Sequence, residues 1–156
     1  MKNLITVPPV VRDVALLVAR IVLGTVLIAH GVQKFTEWTL AGTGQAFAQM
    51  GVPAPQLSAT VAAIVELVGG GLLLVGAFTA VTGLVVALEM LGAALLVHLP
   101  GGVFVATNGW ELVGVIAAAA LALAVAGAGR YSVDAWLLGR NTAVTTDARE
   151  LHNTTR

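Results

Sequence analysis

Four stretches of this chain, about residues 14–35, 56–78, 79–99 and 110–126, are almost wholly apolar. A helix of roughly 20 such residues is what crosses the ~30 Å hydrocarbon core of a bilayer. In a chain of 156 residues, four spans leave room for one outer loop and a tail but for no separate soluble domain. Composition agrees: 58% of residues are hydrophobic and only 10% are charged, where a soluble domain carries about 25% charged residues. The expected fold class is an all-α membrane protein, a four-transmembrane-helix bundle.

Local signals set the boundaries. Asp13 is the expected N-cap of the first span. Arg20 interrupts the first apolar run, which continues to Lys34 without an Ala-x-Ala cleavage site, so a retained span is expected rather than a signal peptide. Between spans one and two, Gly42, Gly44, Gly51, Pro53 and Pro55 break the chain, and residues 45–50 can form a short interfacial helix. Spans two and three are nearly continuous and need a tight turn near residues 77–82. Pro100-Gly101-Gly102 stops the third span, and Gly127-Ala128-Gly129-Arg130 closes the fourth. Ser132 is placed to cap a short interfacial helix over 132–138, whose Trp136 and leucines suit a membrane surface. Residues 1–13 form an N-terminal segment, and the polar stretch 140–156 reads as a disordered tail.

Basic residues orient the bundle. Lys2 and Arg12 precede the first span, Arg130, Arg140, Arg149 and Arg156 follow the fourth, and only Lys34 borders an intervening loop. The positive-inside rule then places both termini in the cytoplasm. Trp38 and Trp110 fall at the outer interface, and Tyr131 and Trp136 at the inner one. Net charge is zero and no basic run occurs, which excludes nucleic acid as a partner. The lipid bilayer is the partner the composition implies. The chain has no cysteine, so it holds no Cys-ligated cluster and performs no dithiol exchange of its own. In a redox system, its electrons would travel through a partner or a bound cofactor.

Within the spans stand four charges: Arg20, Glu66, Glu89 and Glu111. A charge at the bilayer centre costs about 2.5–3.5 kcal/mol on insertion scales, so such residues turn inward, pair with one another or line a polar path. At about 100° per residue, Gly24, Gly31 and Lys34 share one arc of the first span with Arg20, and His30 lies beside it. Glu66 shares its side with Ala59, Ala62, Ala63, Gly69 and Gly70, small residues that let backbones approach. Glu89 falls with Thr82 and Ala93, and Glu111 with Gly114, Ala118 and Ala122. Counting ~1.5 Å per residue, Glu66 and Glu89 lie near the midplane, and Arg20 is the cation expected to reach one of them. The remaining carboxylate would lack a partner, and the two acids could share or exchange a proton. The bland alternative is a structural ion pair that only fixes helix register.

His30, Gln33, Lys34, His98, Asn108 and Glu111 fall in the outer third and form a second cluster of candidate ligand-binding residues at the mouth of the bundle. No two ligands stand at i, i+4 spacing, so no metal site is expected.

Several segments resemble the DoxX family. Arg20-Ile-Val-Leu-Gly24 followed by His30-Gly31-Val32-Gln33-Lys34-Phe35 is similar to that family's first span. Gly51-Val52-Pro53-Ala54-Pro55 and Val65-Glu66-Leu67-Val68-Gly69-Gly70 resemble its second span and the approach to it. Val97-His98-Leu99-Pro100-Gly101-Gly102-Val103-Phe104, Asn108-Gly109-Trp110-Glu111 and Gly129-Arg130-Tyr131-Ser132-Val133-Asp134 match its later signatures. The resemblance covers about residues 12–139. It implies a small four-helix protein of the bacterial inner membrane, linked to membrane oxidoreductase assemblies and to sulfur or oxidative-stress handling, with related proteins serving as a subunit of thiosulfate:quinone oxidoreductase.

Three functions are therefore weighed. The first is a membrane subunit or anchor of an oxidoreductase assembly, itself non-catalytic, with quinone as cofactor and soluble or membrane redox proteins as partners. The second is a small proton-coupled transporter, which would need a homo-oligomer to enclose a path. The third is a scaffold whose charges only lock helix packing.

Overall fold

A computed structural model of the chain describes residues 7–139. The segment before residue 7 and the tail expected to be disordered, 140–156, lie outside the described residues. The rest is all-α, with no strand among the described residues. Helix α1 runs Pro9–Thr36, α2 Leu40–Gln49, α3 Pro55–Val75, α4 Thr79–Gly101 and α5 Glu111–Ala126. A last helix, α6, covers residues 133–139. By length and composition α1, α3 and α4 can each cross a membrane; α5 is apolar but shorter, at 16 residues.

The ends of the helices follow from local chemistry. Pro9 opens α1 at a position where its missing N–H costs nothing. The helix therefore starts before Asp13, which is no N-cap; its carboxylate accepts the Arg130 N–H at 3.1 Å. Thr39 caps α2, its hydroxyl accepting the Gly42 N–H at 3.1 Å, and this helix is longer than the 45–50 expected. Gly76, with φ of 70°, ends α3 in the left-handed conformation that glycine adopts freely. The chain turns through Gly76, Ala77 and Phe78 and re-enters a helix at Thr79, so the tight turn sits a few residues earlier than anticipated.

Both α3 and α4 open into a wider π turn, over Val65–Gly69 and Ala94–His98. Such turns are uncommon and concentrate at functional sites.

Packing is closest where glycines meet. A Cβ on Gly24 would stand 2.7 Å from the Gly70 carbonyl oxygen, and one on Gly31 2.7 Å from the Leu67 nitrogen. Helix α1 thus lies directly on the second half of α3. Gly83 brings α4 onto α5 in the same way, 2.6 Å from the Ala120 oxygen. Leu23, Leu27, Leu73, Val86, Met90 and Ile116 fill the core between the four helices. Outside it, residues such as Val22, Val68, Leu88 and Val115 are exposed. An apolar surface of this kind is stable against lipid tails rather than water.

The buried face of α1 is Arg20, Leu23, Gly24, Leu27, Gly31 and Lys34, which contains the arc of charges and glycines legible in the sequence. On α5 the expected face is wrong. Val113, Ile116, Ala120 and Leu123 are buried there, while Ala118 and Ala122 are exposed. An Ala-, Leu- and Val-rich helix is apolar all round, so the lone Glu111 was a poor guide to its rotation.

At the end of the bundle where α1 begins and α5 ends, a clasp formed by 127–139 joins the spans. Asp134 Oδ1 accepts the Phe78 N–H at 2.7 Å and Oδ2 the Thr79 N–H at 2.9 Å, capping α4 from a distant part of the chain. The Asp134 N–H in turn reaches the Gly76 oxygen at 2.9 Å. Ser132 caps α6, its hydroxyl accepting the Ala135 N–H.

Candidate functional site

At the opposite end, where the loops flanking α2 and the loop between α4 and α5 lie, the helices line an open cavity of about 1030 Å³. It is bounded by the last turns of α1, by α2, by the first half of α3 and by the outer parts of α4 and α5. That first half of α3, Pro55–Ile64, packs on α2 and α1 rather than on α4, and the divergence of α3 from α4 creates the space. Most of the lining is apolar: Leu27, Phe47, Met50, Val61, Met90 and Ile116 are typical.

Five ionisable residues line this apolar chamber: His30, Lys34, Glu66, Glu89 and His98. Lys34 Nζ and Glu66 Oε2 are 2.5 Å apart, both residues buried. The contact follows from the backbone: Gly31 allows α1 to press on Leu67, and the π turn carries Glu66 toward Lys34. Lys34 also lies 5.9 Å from the centroid of the Trp38 ring, one helical turn on.

Glu89 faces the same chamber from α4. Both its carboxyl oxygens are buried and have no hydrogen-bond partner. A buried polar group is ordinarily satisfied, and leaving one unsatisfied costs about 1–3 kcal/mol or more for a charged group. His98 stands at the end of the second π turn, its Nδ1 3.0 Å from the Asn108 oxygen. Asn108 also lines the chamber, at its rim.

This regroups the residues singled out from the sequence. Arg20 does not pair with Glu66 or Glu89. It lies in the clasp region, fully buried, where Nη2 donates to the Tyr131 oxygen at 2.5 Å and the guanidinium rests against Gly76. Its Nε and Nη1 have no hydrogen-bond partner. Lys34 takes its place beside Glu66, because α3 extends beyond the end of α1 and brings Glu66 level with the lysine's long side chain. The deep and shallow clusters expected from helix counting are thus one cluster, minus Arg20, Gln33 and Glu111. Gln33 is turned aside, Nε2 donating to Glu37 Oε2 at 3.0 Å. Glu111 is outside the cavity lining as well: its Oε1 accepts the Val105 N–H at 2.6 Å and holds the 102–110 loop. No group of three or more metal-ligating side chains is gathered among the described residues.

Two features escaped the sequence. The π turns have no single-sequence signature. Trp38 on the cavity wall had a readable one, since it stands four residues after Lys34, just past the end of α1.

Among known proteins, a family profile described as DoxX matches residues 15–99. The chain is 33% identical over 135 residues to an uncharacterised membrane protein, Rv3486, of Mycobacterium tuberculosis, covering 80% of this chain and 82% of that one. It is 33% identical over 129 residues to the inner membrane protein YphA of Escherichia coli, covering 79% and 90%. A third relative, CatD of Bacillus subtilis, carries a provisional oxidoreductase name and is 34% identical over 87 residues, 56% of this chain and 62% of that one. No solved structure matches the chain.

Proposed function

This multi-pass membrane chain belongs to the DoxX family, and from that premise we propose that it is a membrane subunit or anchor of an oxidoreductase assembly, with its cavity as the seat of a lipid-soluble quinone. It stands in the bacterial inner membrane with both termini in the cytoplasm. One observation carries the proposal: Glu89 presents two buried, unpartnered oxygens to a largely apolar chamber. Lys34 and Glu66 satisfy each other as an ion pair, whereas the Glu89 carboxyl facing the same chamber has no partner. An intramembrane acid left open is characteristic of proton relays and ligand sites. The oxidoreductase name given to CatD supports the same direction.

The residues present fit such a group. Apolar walls suit a ring and its substituents, and the carboxyl of Glu89 suits a ring oxygen or hydroxyl. A quinone when bound supplies two-electron, two-proton chemistry. The chain's own part is to hold the ring and to hold or move a proton at the Glu89 carboxyl. Lys34 and Glu66 keep a fixed dipole beside it, and His30 is a second proton-carrying group on the wall. With no cysteine to hold a cluster, electron delivery falls to a partner protein.

The test is gentle purification of the full chain from native membranes, with mass spectrometry of what accompanies it. A co-purifying redox protein, together with thermal stabilisation by decyl-ubiquinone, is expected. Finding neither overturns the proposal.

A further inference from the structure

The mouth of the cavity says how its ligand arrives. Leu57, Val61 and Leu96 line the chamber and are also open to the outside, 65%, 49% and 50% exposed. Leu57 and Val61 stand on Pro55–Ile64 of α3 and Leu96 on the π turn Ala94–His98 of α4, two segments that hardly touch each other although both line the cavity. Trp38, Met50 and Val105 continue the rim around the loop end, all exposed and all apolar. Among the exposed lining residues Asn108 is the polar exception, and its carbonyl is engaged by His98. Among the described lining residues no Asp, Glu, Lys or Arg is exposed at this mouth to receive a hydrated solute.

We infer that the cavity loads sideways from the bilayer, between α3 and α4, and takes an uncharged ring head carried on a single hydrocarbon tail. The head reaches Glu89, and the tail leaves through the cleft between Val61 and Leu96. The inference rests on the ligand-site reading above and deepens it, making Val61 and Leu96 the residues that select for a tail. Three features converge on it. The Lys34–Glu66 pair and the Glu89 carboxyl oxygens are buried inside the chamber rather than at its mouth. The cleft side chains are apolar and shared between cavity and outer surface. The volume, about 1030 Å³, is at the upper limit of the roughly 300–1,000 Å³ usual for small-molecule sites, so a head alone would leave much of it unfilled.

The experiment uses the full chain in lipid nanodiscs and two probes with one ring head: decyl-ubiquinone, which has a tail, and 2,3-dimethoxy-5-methyl-1,4-benzoquinone, which has none. Binding is read from quenching of the intrinsic tryptophans, with membrane partitioning measured in empty nanodiscs and subtracted. Leu96→Phe and Val61→Phe narrow the cleft from its two sides, and Leu96→Ala widens it. Narrowing should weaken the tailed probe by about tenfold and leave the tail-less one unchanged, while widening should not weaken either. Equal loss of both probes, or no loss of the tailed one, overturns the sideways route but leaves quinone binding standing. If neither probe binds the wild type, the quinone reading fails. The sideways route is then judged by native mass spectrometry: a tailed amphiphile retained by the wild type and lost from Leu96→Phe sustains it, and the absence of any such species overturns it.

Discussion

Lys34 Nζ and Glu66 Oε2 meet at 2.5 Å across the interface of α1 and α3, the salt bridge found among the described residues. Removing one partner strands the other as a buried charge, which costs about 3–5 kcal/mol. Lys34→Ala and Glu66→Ala should each lower folded yield and thermal stability in detergent by an amount of that order. The pair Lys34→Met with Glu66→Leu should recover most of it. If the double variant is no better than the singles, the bridge is not what the single changes break.

Gly31 sets the distance over which that bridge forms. With 2.7 Å between an added Cβ and the Leu67 nitrogen, Gly31→Ala must push α1 off the π turn. Overpacking of this kind costs about 1–3 kcal/mol. Gly71 offers a control, since nothing lies within 4 Å of a Cβ there. Thermal unfolding should show Gly31→Ala clearly destabilised and Gly71→Ala close to wild type; the reverse order would refute the packing described.

The clasp makes a prediction about pH. Partial burial pushes the Asp134 carboxyl up, but hydrogen bonds from Thr79 and Phe78 and the nearby Arg20 guanidinium outweigh it and hold its pKa below the ordinary carboxylate value. A depressed folded-state pKa means stability that is present above the unfolded value, ~3.9, and lost as pH falls through the folded one. Wild type should therefore lose the Asp134 contribution only below about pH 4. Asp134→Asn should be less stable at neutral pH, and its deficit should shrink in acid. A deficit that stays constant from pH 7 to pH 3 would contradict the cap.

Orientation is testable independently of the site. The basic residues that follow α5 predict a cytoplasmic C-terminus. A fusion at residue 156 should be active with a cytoplasmic reporter and silent with a periplasmic one. Activity only in the periplasm would invert the bundle and place the cavity at the cytoplasmic side.

How much of this was legible beforehand divides by physics. Apolar length marked the four spans, and the arc shared by Arg20, Gly24, Gly31 and Lys34 marked the inner face of α1, because helical period and small residues are local properties. The partner of Glu66 was not legible. Residue spacing gives depth only from a helix's own end, but α3 projects past α1, and a lysine side chain reaches well beyond its Cα. The role of Asp134 was hidden for a related reason: it caps α4 at Phe78 and Thr79, more than fifty residues away in the chain. Glu111 misled in the opposite sense, since an acid at the start of a helix can serve its adjoining loop as readily as a core.

Glu89 is the residue on which ligand binding depends. Its unpartnered carboxyl destabilises the protein by itself, so Glu89→Leu should leave the ligand-free chain as stable as wild type or more so. In return it should lose the response to ligand. At free decyl-ubiquinone about a hundred times Kd, binding to the folded state alone adds about 2.7 kcal/mol to wild type. The measurement is thermal unfolding of wild type and Glu89→Leu with and without that quinone. Wild type should show a large shift and the variant little or none, with the variant's ligand-free stability undiminished. A variant that keeps the full shift, or that is strongly destabilised without ligand, would contradict this role of Glu89.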